Sequence, residues 1–321
     1  MASLVTRLGR STERVGRVAF GCEQLGGHAW GDTHAKEICS AIEEAIAGGI
    51  TLFDTADCYG LGESERRLGA AIARLRPQVC IATKFGVRFA DGGGVFHDSS
   101  ADWAVRAVEG SLSRLQVDVI DLFQVHYWDR VTPLRELFDA LERLRECGKI
   151  RWFGITNHVP EPTLIAAYPG LVSVSLEYSL AERTNERLAQ AVSADGLTFI
   201  GYGALGQGIL SGKYDADSRF GADDRRAHPR YGKFHGAALA RNLALVEVLR
   251  TQARQLEATP AQLAIAWALE RLPECVVLVG IKRRQQVRDA LAARDLKLTA
   301  AAREALESAS AAIMDVGNSH D

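Results

Sequence analysis

Hydrophobic and polar positions alternate between two rhythms along this chain. Short runs of β-branched, aromatic and other apolar residues, bounded by glycine or polar groups, lie at Val18 to Gly21, Thr51 to Asp54, Val79 to Lys84, Val119 to His126, Arg151 to Thr156, Val172 to Glu177, Thr198 to Tyr202 and Val276 to Gly280. Runs of this length and composition read as strands. Between them, apolar residues recur at steps of three and four, as in Ile38, Ala41, Ile42, Ala45 and Ile46, or Leu134, Leu137, Leu141 and Leu144. That spacing gathers them on one face of a helix. Strand and helix in alternation predict parallel βα units and an α/β fold.

A sheet of eight such units can close into a (β/α)8 TIM barrel and leave no edge strand. An open doubly wound sheet of this size usually carries a glycine-rich dinucleotide turn after its first strand. Here that turn reads Gly21-Cys22-Glu23-Gln24-Leu25-Gly26-Gly27, which is not GxGxxG. The barrel is the expected fold. No Pro-, Gly- or Ser-rich linker divides the chain, so residues 1–321 are read as one domain. The longest irregular stretch, Gly203 to about Gly236, is polar and dotted with glycine. It follows the seventh strand and so leaves the C-terminal mouth, where active sites on this fold lie, which makes it a candidate lid among the long loops of that face.

Composition narrows the class of function. Of 321 residues, 47% are hydrophobic and 24% charged, which excludes a disordered or low-complexity chain. The 38 Lys+Arg and 40 Asp+Glu leave a net charge of −2, too small a field to gather nucleic acid or an acidic membrane. A small ligand is the expected partner, and the oligomeric state is left open. No run approaches a membrane span, and Met1 to Arg7 holds no apolar leader core, so a cytoplasmic location is expected. The six cysteines stand singly, without CxxC or zinc spacing, and are read as packing residues; no metal site is expected.

Candidate chemistry collects at the same ends of several strands. Asp54 closes the second, Tyr59 follows in its loop, Lys84 closes the third and His126 closes the fourth. Parallel strands bring these four into one small volume. A phenol ordinarily titrates near pH 10, and an adjacent ammonium favours its phenolate. Lys84 supplies that charge, and Asp54 is the counter-ion that a buried lysine needs. His126 is placed to hydrogen-bond a substrate oxygen. Such a set can protonate a carbonyl oxygen.

Four segments carry a resemblance. Phe53-Asp54-Thr55-Ala56-Asp57-Cys58-Tyr59-Gly60 with Gly62-Glu63-Ser64-Glu65, then Ala82-Thr83-Lys84-Phe85-Gly86, Asp121-Leu122-Phe123-Gln124-Val125-His126, and Gly148-Lys149-Ile150-Arg151 with Gly154-Ile155-Thr156-Asn157 resemble the aldo-keto reductase superfamily. The likeness spans nearly the whole chain. It implies a (β/α)8 barrel that binds an extended nicotinamide cofactor without a Rossmann motif, with Tyr59 as general acid/base, Lys84 and Asp54 tuning it, and His126 orienting the substrate. It further implies that Cys22 and Asp54 flank the cofactor, that Thr156 and Asn157 bond its carboxamide, with Ser175 where the family usually has Gln, and that Tyr202 stacks on the nicotinamide ring. Gly203-Ala204-Leu205-Gly206-Gln207-Gly208, running on to Lys213, resembles the pyrophosphate loop, although the family commonly has Ser-Pro where this chain has Gly203-Ala204. After the last strand, Gly280, Lys282 and Arg283 open a helix whose cations suit a 2′-phosphate, which favours NADPH over NADH. Gln286 and Asp289 match positions near the adenosine, while Ala290 replaces a frequent Asn.

Trp30, Tyr127 and Trp128, with Tyr59 and His126, are the expected walls of the substrate cleft, and Phe89, Phe96 and Tyr231 are further candidates. Trp128 stands where family members usually have Pro, and the second indole narrows the site. The resemblance therefore implies an NADP(H)-dependent oxidoreductase that reduces an aldehyde or ketone, or reversibly oxidises an alcohol or sugar. A second reading, by likeness to potassium-channel β subunits, is a redox-sensing regulatory subunit with little turnover. A third, a phosphate-sugar isomerase on the same barrel, predicts no nicotinamide binding.

Overall fold

In the computed structural model, which describes residues 4–27, 30, 34–90 and 92–317, the eight apolar runs are all strands. They are β1 (Val18–Gly21), β2 (Leu52–Asp54), β3 (Cys80–Phe85), β4 (Ile120–Val125), β5 (Ile150–Thr156), β6 (Leu171–Glu177), β7 (Thr198–Tyr202) and β8 (Val276–Gly280). Each pairs in parallel with its neighbours in chain order, and β8 closes on β1. The ends differ slightly from the sequence reading: Thr51, Val79 and Val119 precede their strands, and His126 lies one residue beyond β4.

Strands buried on both faces explain the near-continuous apolar runs. Inward-facing Ala19, Leu52, Ala82, Leu122, Val172, Ile200, Val276 and Leu278 fill the barrel, joined by Leu8 from below. The other faces pack against the helices α1 (Ala35–Ala47), α2 (Glu63–Ile72), α3 (Ala101–Leu115), α4 (Leu134–Glu146), α5 (Pro162–Ala167), α6 (Glu186–Ala194), α7 (Gly236–Gln255), α8 (Pro260–Arg271), α9 (Arg284–Ala292) and α10 (Ala300–Gly317). In α4 the expected stripe is the buried one: Leu137, Leu141 and Leu144, with Phe138. Thr259 and Gln262 form a reciprocal capping box that starts α8.

Two antiparallel hairpins were not expected from the sequence. Val5–Arg7 pairs with Arg14–Gly16 under the barrel, and Val87–Phe89 pairs with Val95–His97 after β3. Three-residue strands are too short to show a period, although Gly92-Gly93-Gly94 between the second pair is a turn signal. Register then sets the site: Asp54 lies opposite Ala82, Lys84 opposite Gln124, Val125 opposite Ile155, Thr156 opposite Ser175 and Glu177 opposite Tyr202. These residues crown one mouth, at the C-terminal ends of the strands. Among the described residues, no helix is long and apolar enough to cross a membrane.

Candidate active site

Asp54, Tyr59, Lys84 and His126 converge as their strand positions imply. Lys84 Nζ is ion-paired with Asp54 Oδ1, donates to the Thr55 carbonyl at 2.9 Å and lies 3.3 Å from Tyr59 Oη. Asp54 and Lys84 are both buried. The His126 ring meets the Tyr59 ring edge-on, with centroids 5.8 Å apart. Tyr59 is held there by the close approach of two loops: a Cβ on Gly60, whose φ is +59°, would fall 2.2 Å from the Gly26 carbonyl oxygen. Only glycine tolerates both that conformation and that contact.

Electrostatics correct one expectation. Burial, joined by Glu23, Asp54, Cys58 and Tyr127, holds the Tyr59 hydroxyl well above its ordinary value rather than below it. The ammonium of Lys84 is matched by Asp54, so desolvation wins, and the phenol is protonated at neutral pH. His126 moves the other way: burial, then Lys84 and His97, keep it well below the usual imidazole range and therefore neutral.

Behind these groups runs a buried relay that the sequence reading missed. Gln124 Nε2 donates to Asp54 Oδ2 at 3.0 Å, and Ser175 Oγ donates to Gln124 Oε1 at 3.0 Å. The Ser175 hydroxyl is thus turned to Gln124 within the wall. Gln124 alternates with outward Phe123 and Val125, so a polar residue at an inward strand position was the available signal. Below Tyr59, buried Glu65 accepts from Thr83 Oγ1 at 2.7 Å and from Arg114 Nε at 2.5 Å. Asp57 lies beside this pair, its carboxyl pushed up to about 7 by burial and by Glu65.

The cofactor candidates divide. Thr156 Oγ1 donates to the His126 carbonyl, Asn157 Nδ2 donates to the same oxygen at 3.0 Å, and Tyr202 Oη donates to Asn157 Oδ1 at 2.6 Å. These three are linked at the mouth, beside His126. Cys22 is fully buried, with its thiol directed to the Phe20 carbonyl. After β7, Gly203, Gly206 and Gly208 take positive φ values, as does Gln207 at 55°. Ala204 is buried and Leu205 partly so, beneath this turn. Lys213 is pushed down to about 8 by loss of solvent and by the cations of Arg226, Lys282 and Arg283. Among the described residues around Lys213, cations outnumber the carboxylate of Asp224, an arrangement that suits a polyanion. Gln24 Oε1, Trp30 Nε1 and Arg225 Nε, in segments bounding this region, are buried without hydrogen-bond partners. Gln286 Oε1 accepts from the backbone N–H of Lys282 and Arg283, at 2.9 and 3.1 Å, and Asp289 Oδ1 accepts from Gln262 at 3.0 Å. Gly280 approaches Gln24: a Cβ there would lie 2.7 Å from Gln24 Nε2.

The stretch from Gly203 to Gly236 is an ordered strap. Arg225 is ion-paired with Glu23, Lys233 with Glu177, and Arg226 with Asp224. Trp30 lies beneath it, with Arg225 at 4.6 Å and Arg226 at 5.6 Å from its ring centroid, while its carbonyl accepts from Lys282 Nζ at 3.1 Å. Trp30 is therefore placed under the strap. Tyr231 likewise faces Arg225.

Residues 17–311 match the model of the Aldo/keto reductase family. This chain belongs to that family. It is 33% identical over 276 residues to the aldo-keto reductase YhdN of Bacillus subtilis, covering 84% of this chain and 82% of that one. It is 32% identical to the aldo-keto reductase yakc [NADP(+)] of Schizosaccharomyces pombe, over 92% of this chain and 88% of that one. The solved glycerol dehydrogenase of Gluconobacter oxydans superposes with a TM-score of 0.87 at 31% identity, covering 97% and 96% of the two chains.

On this aldo/keto reductase barrel, residues expected to wall the substrate cleft join a ring stack. His97, on the second hairpin, stacks on Tyr127 at 4.8 Å, and Tyr127 on His126 at 5.1 Å. Trp128 packs against His158 at 4.8 Å and donates to the Thr132 carbonyl at 2.8 Å. Phe89 and Phe96 are exposed on the hairpin. The sequence reading did not single out His97, Arg130 or His158, because the hairpin and turn that carry them have no periodic signature.

Proposed function

We propose that this chain is an NADP(H)-dependent oxidoreductase that reduces the carbonyl group of a small aldehyde or ketone, or oxidises the corresponding alcohol. The observation that carries this reading is the contact of Lys84 Nζ with both Asp54 and Tyr59 Oη, beside the His126 ring. Bound NADPH supplies hydride to the carbonyl carbon. Tyr59 gives its proton to the carbonyl oxygen, and Lys84, anchored by Asp54, stabilises the phenolate left behind. Neutral His126 orients that oxygen by a hydrogen bond. In oxidation the same phenolate accepts the hydroxyl proton. Lys213, Lys282 and Arg283 would hold the phosphates, near the strap that Arg225 ties to Glu23. Support for the cofactor comes from the NADP(+) named for the fission-yeast relative, and support for a small substrate from the glycerol named for the Gluconobacter protein.

The experiment measures NADPH oxidation with a panel of aldehydes and NADPH quenching of tryptophan fluorescence. Tyr59→Phe is expected to lower turnover by roughly 10²–10⁴-fold with quenching retained. Turnover equal to wild type in Tyr59→Phe would overturn the assignment; quenching without turnover in the wild type would favour a redox sensor, and no quenching an isomerase.

A further inference from the structure

A cavity of about 150 Å³ beside the His126 stack is lined by His97, Tyr127, Trp128, Arg130, Asn157 and His158. Its charge is one-sided. Arg130 makes no hydrogen bond or ion pair among the described residues. Two of the nearby carboxylates are committed elsewhere. Asp98 holds Arg88 at 2.7 Å. Asp129 accepts the backbone N–H groups of Ser99, Val131 and Thr132, at 2.9, 2.9 and 2.8 Å. Glu161 acts on His158 in the opposite sense to Arg130, and less strongly.

The backbone presents this guanidinium at a cost. Arg130 has a φ of +62°, in the left-handed region that a non-glycine residue seldom adopts without compensation. Asp129 supplies the compensation through the bonds that build the turn. Facing the cavity from the other side, Tyr127 stacks on His126 and Asn157 bonds the His126 carbonyl. The cavity thus reaches from Arg130 to Tyr127, whose ring lies against His126.

We propose that this cavity is an anion subsite and that the substrates are short oxo acids: aldehydes or ketones carrying a terminal carboxylate, or in reverse the corresponding hydroxy acids. This rests on the carbonyl-reductase reading above. A guanidinium fork pairs bidentately with a planar carboxylate, and here it stands at the open rim of the cavity, as do Tyr127 and His97. A cavity near 150 Å³ has room for a benzene-sized group.

The test compares kcat/KM, with NADPH, for 4-oxobutanoate and for its neutral methyl ester. The acid is expected to be favoured by about tenfold or more, the usual discrimination of a charge-assisted pair. In Arg130→Gln the ratio should fall to near one, and in Arg130→Lys it should be intermediate, because the ammonium keeps the charge and loses the fork. Melting curves establish that each variant is folded. Equal kcat/KM for acid and ester in the wild type, or an unaltered ratio in Arg130→Gln, overturns the anion subsite alone. No turnover of acid, ester or any neutral aldehyde overturns the carbonyl-reductase reading and this proposal with it.

Discussion

Gln124 Nε2 and Asp54 Oδ2 are 3.0 Å apart, and the other oxygen of that carboxylate holds Lys84. Both oxygens of Asp54 are thus committed, so the carboxylate cannot turn away from the lysine. Replacing Gln124 by Leu leaves a buried oxygen without a donor, at a cost of about 1–3 kcal/mol. Gln124→Leu is expected to lower the melting temperature and to reduce kcat about tenfold, with NADPH quenching of fluorescence little changed. Wild-type kcat in this variant would remove Gln124 from the relay.

Cys58 Sγ lies 3.5 Å from His126 Nδ1. Burial and the neighbouring Asp57 carboxyl push this thiol up to about 12, so it stays protonated at neutral pH, next to a neutral imidazole. Iodoacetamide at pH 8 should alkylate exposed Cys147 well before Cys58, as read by peptide mass spectrometry. Cys58→Ser should keep kcat, while Cys58→Val, which offers His126 no partner, should lower it. Equal labelling of the two cysteines would contradict this.

Asp57 couples stability to pH in the less common direction. Its carboxyl titrates near 7 in the fold, against about 4 in an unfolded chain, and its Oδ1 has no hydrogen-bond partner. The folded protein therefore keeps a proton that the unfolded chain gives up between about pH 4 and 7, and stability falls across that window as pH rises. Asp57→Asn should flatten the decline and raise the melting temperature at pH 8 by a few degrees. Parallel melting profiles for variant and wild type would show that Asp57 does not carry the effect.

Lys282 and Arg283 stand at the start of α9, and both act on Lys213. If they meet the 2′-phosphate, the double variant Lys282→Ala, Arg283→Ala should raise the KM for NADPH by about tenfold or more, with a much smaller rise for NADH. Equal rises for the two cofactors would place that phosphate elsewhere.

Much of the fold was legible because strands buried on both faces must be apolar along their whole length, and helices around a barrel must show one apolar stripe. Val18 to Gly21 and Val276 to Gly280 coincide with their strands end to end. The cluster of Asp54, Tyr59, Lys84 and His126 was legible because each sits at a strand end or in the loop that follows it. Arg130 and the hairpin bearing His97 were not, since their placement depends on Asp129 and on tertiary contacts rather than on a local period. The resemblance sets Ser175 among the cofactor contacts, while the bond its hydroxyl donates to Gln124 emerges only in the closed barrel.

By itself, the sequence determined the βα order and which residues could carry proton transfer, since periodicity and residue chemistry are properties of neighbours in the chain. The tertiary structure alone decided the charge state of Tyr59, the commitment of both oxygens of Asp54 and the placement of the Arg130 guanidinium at the cavity beside Tyr127. Each of these depends on desolvation and on partners distant in sequence, and the energies of burial and hydrogen bonding arise only when the barrel closes.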